Sequence, residues 1–147
     1  MGRQKHLILW AEGLNIAKKI YNITTKERFL KGNHLRRHIR KAAISLNIEI
    51  SEAFERRNSP RKHTSLKKAL RLCEKVRGSL NCALYLGYIN ENEFKLLTGE
   101  LRSVSVQLNV FIHKSPVFQE EFGVGINPFG CIDGTQMNLR EGVRQLG

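Results

Sequence analysis

Two histidines one helical turn apart, His34 and His38, have the spacing at which a helix can present two nitrogens to a metal ion. Zinc needs a third and a fourth ligand, and Arg36 and Arg37 crowd this pair with positive charge. The sequence therefore assigns no metal site. The three cysteines, Cys73, Cys82 and Cys131, show no ligand spacing and cannot all be paired. A separation of nine residues puts Cys73 and Cys82 on opposite sides of a helix. They read as reduced thiols in the core or on the surface, which favours a cytoplasmic protein. No glycine-rich phosphate loop follows a strand pattern, and no serine, cysteine or carboxylate pair comes with a base. The expectation is no catalytic residue and no cofactor.

One constellation points to chemistry on RNA. Arg57-Asn58-Ser59-Pro60-Arg61-Lys62-His63 resembles the Arg-polar-x(n)-His motif of the helical HEPN ribonucleases. There the arginine and histidine act together on RNA without metal. With thirteen arginines and five histidines in the chain, about one such spacing arises by chance, and Arg28 to His34 supplies a second. Pro60 also sets the motif across a helix start. A metal-independent ribonuclease is therefore the enzyme-class alternative to a protein without an active site.

The elements that position these residues are amphipathic helices. Residues 6–23 carry Leu7, Trp10, Leu14, Ala17 and Tyr21 at spacings of three and four. Residues 32–56 repeat the pattern with Leu35, Ile39, Ala42, Leu46, Ile50 and Ala53. A third stretch opens on Ser59-Pro60, a polar cap before a first-turn proline, and places Leu66, Ala69, Cys73, Val76, Leu80, Ala83 and Gly87 on one stripe. The fourth opens on Asn90 with a glutamate three residues on, and carries Phe94, Leu97, Leu101, Val104, Leu108 and Phe111 before Ser115-Pro116 stops it. Nothing alternates with period two. The spacing predicts an all-α, up-down antiparallel four-helix bundle over residues 1–115.

Residues 116–147 differ, holding six of the twelve glycines. This is too dense for a helix, so they predict an irregular tail. Its Phe118, Phe122 and Phe129 either pack back on the bundle or dock on a neighbouring subunit or partner. No apolar run approaches the ~20 residues that span a bilayer, and the first residues show no signal-peptide pattern, so neither membrane nor secretion is expected.

Charge is unevenly distributed. Between residues 26 and 77, sixteen Lys and Arg face five Glu, a net +11 of the chain's +12. On helical wheels Arg36, Arg37, Arg40 and Lys41 lie away from the second stripe, and Lys67, Lys68, Arg71 and Lys75 away from the third. Arg61 and Lys62 extend the set at the start of the third helix. The second helix is basic in its first half and carries Glu49, Glu52 and Glu55 in its last, which opposes its own macrodipole. Few acids stand four residues from these bases to screen them. A polyanionic partner is the reading, with RNA favoured and phosphates contacted rather than bases, because stacking aromatics are scarce. Arg77, at the edge of its apolar arc, needs an acceptor, and Glu52 on the neighbouring helix is expected to be its structural ion-pair partner.

Two stretches resemble the signatures of a bacterial four-helix-bundle family. They are Arg40-Lys41-Ala42-Ala43-Ile44-Ser45-Leu46 with Ile50-Ser51-Glu52-Ala53, and Val76-Arg77-Gly78-Ser79-Leu80 with Leu86-Gly87-Tyr88-Ile89. The family includes proteins encoded in ribosomal-RNA intervening sequences and the accessory variability determinant (Avd) of diversity-generating retroelements. Glu27-Arg28-Phe29 and Glu52-Ala53 look more like the Avd branch. Asn47, Glu49 and Cys82 depart from the intervening-sequence pattern. The resemblance implies a homopentamer with basic surfaces and, for the Avd branch, binding to a reverse transcriptase and structured RNA or an RNA/DNA hybrid. The expected function is a non-enzymatic accessory subunit of such a complex. An intervening-sequence protein is the alternative within the family.

Overall fold

A computed structural model of the chain describes residues 2–56 and 60–114. Four helices fill it, α1 (Gly2–Thr24), α2 (Asn33–Glu55), α3 (Pro60–Tyr85) and α4 (Glu91–His113), with a single 3-10 turn at Glu27–Phe29 after α1. There is no strand among the described residues. The glycine-rich tail, with its phenylalanines and Cys131, lies outside them, as does Arg57.

Each helix packs on its sequence neighbours, and α1 closes the square against α4. Polar pairs report direction. Asn47 of α2 meets Gly13, whereas Arg40, two turns earlier on α2, meets Tyr21 and Thr24, so α1 and α2 run antiparallel. Glu12 with Gln107 and Lys19 with Glu100 do the same for α1 and α4. The molecule is an up-down antiparallel four-helix bundle.

On α2, α3 and α4 the apolar stripes become the core. Ile39, Leu46 and Ile50 meet Leu66, Val76 and Leu80, and Leu97, Leu101 and Leu108 close the fourth wall. Some positions differ: Leu35 and Phe94 are only partly buried and pack against that core. Ile112 rather than Phe111 is buried at the end of α4. Gly87 lies past the end of α3, at φ +81°, where only glycine is unstrained. The amides of Gly87 and Tyr88 donate back to the carbonyls of Leu84 and Ala83, closing the helix with a Schellman cap.

The face of α1 is a larger correction. Leu7, Trp10, Leu14 and Tyr21 are each 39% exposed or more, and only Ala17 of the expected stripe is buried. The core side is instead Leu9, Ile16, Ala17 and Ile20, with Gly13 among them and Thr24 following at the end of the helix. Close helix approach at Gly13 causes the rotation. The Asn47 amide donates to the carbonyls of Gly13 (2.9 Å) and Ala43 (3.2 Å). A Cβ on Gly13 would lie 2.4 Å from Asn47 Oδ1 and 3.3 Å from its Cγ. Gly13→Ala should therefore destabilise the fold by about 1–3 kcal/mol through overpacking, although alanine is the better helix former by about 1 kcal/mol. With Asn47→Ala added, part of that loss should return, giving non-additive denaturation midpoints. Strictly additive losses would show that the close approach is not what constrains Gly13.

The two ends of the bundle differ. At one, the 3-10 turn drops Phe29 into the core, 5.1 Å from the Tyr88 ring, and Gly32 passes so close beneath Tyr88 that a Cβ would lie 2.5 Å from its Cε2. Glu93 joins the two connections. Its carboxylate accepts from the Asn90 amide (2.9 Å) in the expected capping box, and also from Lys26 (2.7 Å) and Arg28 (3.1 Å). At the other end His6 stacks on Phe54 at 4.2 Å and tilts against Phe111 at 4.6 Å. Burial, and then the nearby Lys62 charge, lower the pKa of His6.

Candidate nucleic-acid interface

The helix register decides which of the basic side chains meet. Residues 38, 41, 45 and 49 of α2 recur at three- and four-residue steps, so they line one edge, and that edge faces α3. Opposite them stand Lys68, Arg71, Leu72 and Lys75. Two hollows result, of about 370 and 240 Å³, which share Ser45, Leu72 and Lys75 as a common wall. The first is lined also by Glu49, Lys68 and Arg71, the second by His38 and Lys41. Together they form one solvent-open trough along the α2–α3 seam. Lys41, Lys68, Arg71 and Lys75 are all exposed, and none forms an ion pair among the described residues. Among the described residues Glu49 is the one carboxylate lining the trough, and its Oε1 is buried there without a hydrogen-bond partner.

The other expected basic residues divide. Arg37 and Lys67 are exposed, one turn before Lys41 and Arg71, and so extend the rim on either side. Arg61 is exposed in the first turn of α3. Arg40 turns away. Its guanidinium lies 4.4 Å over the Tyr21 ring, donates to Thr24 Oγ1 at 2.7 Å, and reaches the Tyr21 carbonyl at 3.4 Å. There it meets the negative end of the α1 dipole, which offsets part of the inverted charge of α2. Arg36, one turn earlier on that side, bonds to Asn33. Lys62 is half-buried at the end of the bundle near His6, and burial lowers its pKa.

The expected Arg77–Glu52 pair does not form. Arg77 bonds to Glu74 on its own helix, and Glu52 to Arg56 at 3.1 Å. Register is the reason. Because Ser45 faces Leu72, Glu52 is level with Ser65, where Arg56 reaches the Ser65 hydroxyl at 3.5 Å. Arg77 stands twelve residues further along α3, roughly 18 Å away at 1.5 Å per residue.

His34 and His38 are both exposed, and no group of three or more His, Cys, Asp or Glu gathers among the described residues. Cys73 is buried and Cys82 exposed, as their spacing implied, and burial pushes the Cys73 thiol up to about 11. His63, half of the ribonuclease-like motif, is 6% exposed, and its arginine lies outside the described residues. The residues missed by the sequence reading were His38, Ser45 and Glu49 as trough walls. Their three- and four-residue steps from Lys41 were the available signal.

Fold and site together define a helical bundle with one cationic seam. The chain belongs to the family described as 23S rRNA-intervening sequence protein, which matches residues 5–110. No curated protein and no solved structure matches it. Asn47, which departs from the intervening-sequence pattern, makes the buried contact with Gly13.

Proposed function

We propose that the chain is a non-enzymatic RNA-binding protein whose α2–α3 trough holds the phosphate backbone of a structured RNA. The observation that carries this is the convergence of Lys41, Lys68, Arg71 and Lys75 on one open seam without ion-pair partners among the described residues. The family's name, which ties it to segments of 23S ribosomal RNA, supports RNA as the polyanion. Among the described residues no Phe, Tyr or Trp lines the trough and His38 is its one ring, so phosphates rather than bases are the main contact. Fluorescence anisotropy with unrelated RNA hairpins at low salt tests it. Lys75→Glu should weaken binding to all of them alike, by tenfold or more, whereas Lys18→Glu on α1, diagonally across the bundle, should change little. Equal losses, or none, would count against the trough. The same samples on a denaturing gel address the enzyme question: metal-free cleavage that disappears in His63→Ala would overturn the non-enzymatic reading.

The accessory role beside a reverse transcriptase rests on the resemblance at Glu27-Arg28-Phe29 and Ala53. It expects a nuclease-treated pull-down to retain the polymerase, on a particle of five chains. A 16.9 kDa monomer that releases the polymerase with its RNA would leave only the RNA-binding role.

A further inference from the structure

We propose that the outer side of α1 and α2 is the seat of a second copy of this chain, packed antiparallel about a two-fold axis. Six large apolar side chains stand open to water there. They are Leu7, Trp10, Leu14 and Tyr21 on α1 with Ile44 and Ile48 on α2, each 39–56% exposed. α1 therefore carries two apolar stripes, one in the core and one outside it. A helix that is apolar on both sides is ordinarily covered on both, and a contiguous exposed patch of this kind marks a contact surface.

Register and charge select the occupant. Asn47 is level with Gly13 and Arg40 with Tyr21, so residues 14 and 46 stand at one height along the bundle. Residue 14 is the midpoint of Leu7 and Tyr21, and residue 46 that of Ile44 and Ile48. Residue 46 is also the midpoint of Arg37 and Glu55, which are exposed on α2 and form no ion pair among the described residues. One two-fold axis crossing the face at that height serves all of them. It lays Leu14 on the partner's Leu14, Leu7 on the partner's Tyr21, Ile44 on the partner's Ile48, and Arg37 beside the partner's Glu55. The charge order of α2, basic first and acidic last, opposes its own dipole but is self-complementary in this pairing. Two 23-residue helices side by side offer a face of about 34 by 20 Å. Closing two such faces buries about 1,300 Å², within the range of specific interfaces. The α2–α3 trough lies on the next side of the bundle and stays open, so the contact does not rest on the RNA reading.

Sedimentation equilibrium of the RNA-free full chain in low salt should give about twice the 16.9 kDa of one chain. Arg37→Glu and Glu55→Arg should each weaken the dimer by about tenfold or more, and the two combined in one chain should restore it. The two positions are about 27 Å apart on one helix, so only a partner can supply that recovery. Ile48→Asp, at an exposed site, should abolish the dimer while circular dichroism stays helical. Leu14→Cys, with Cys82→Ser and Cys131→Ser, should form an interchain disulfide on mild oxidation, because a two-fold axis brings this residue onto itself. Leu30→Cys, exposed beyond the end of α1, should not. A monomer at every concentration would assign the face to another partner and overturn the proposal. A ring of five in which residue 14 never crosslinks to itself would overturn it as well, as would a double charge swap that fails to recover the dimer.

Discussion

Raising monovalent salt from about 50 to 200 mM should weaken RNA binding about 50- to 150-fold. Lys41, Lys68, Arg71 and Lys75 offer four phosphate contacts along the trough. Each neutralised phosphate contributes roughly −0.7 (single strand) to −0.9 (duplex) to the log–log slope, so four give about −3 to −3.6. Isothermal titration or anisotropy across the salt range measures that slope directly. Lys75→Glu should reduce its magnitude by about 1 or more, because a released counterion is lost with the contact. Glu49→Gln should act in the opposite sense and tighten binding, since this carboxylate lines the same wall as Lys68 and Arg71. A general surface effect of +12 net charge would move all exposed positions alike. A response confined to the trough separates the two.

Phe29→Ala should be the most damaging single truncation outside the helices, at about 3–5 kcal/mol. On a bundle of this size that lowers the melting temperature by on the order of 10 °C or more. Phe29 is fully buried and packs with Tyr88, so it ties the α1–α2 connection to the α3–α4 connection. A change of only one or two degrees would show that the helices close without it. Glu93 makes the same connection electrostatically. Its partial burial pushes the carboxyl up, but hydrogen bonds from Lys26, the Asn90 amide and Arg28, with the Arg28 charge, outweigh this and hold it below its ordinary value of 4.5. A carboxyl depressed by folding stabilises the folded state fully above the unfolded value, and that contribution is lost as pH falls through the folded value. Glu93→Gln keeps a side chain able to complete the capping box. It should therefore cost stability at neutral pH, by roughly 1 kcal/mol with partners this exposed, and the gap to the parent protein should close on acidification. A gap that does not depend on pH would show that Glu93 acts through its cap alone.

Much of this molecule was legible from residue order. Three of the four core stripes, the capping box at Asn90 and Glu93, the proline start of α3 and the crowding of cations into residues 26–77 all depend on local chemistry, and all are in place. The face of α1 was not legible, because the residue that sets it, Gly13, has no side chain and so no hydrophobic signal. Phe29 carries no helical period, and its burial depends on a loop more than fifty residues away. The basic residues of α2 looked equivalent on a wheel. Only antiparallel packing put Arg40 at the end of α1 and Lys41 over the seam with α3. Arg77 and Glu52 show the same limit along the helix axis: the wheel allowed them to pair, and the register of α2 on α3 holds them several turns apart. Periodicity reports which side of a helix avoids water. Which neighbour covers that side, and at what height, is decided by side chains distant in sequence, through close contacts such as that of Asn47 with Gly13.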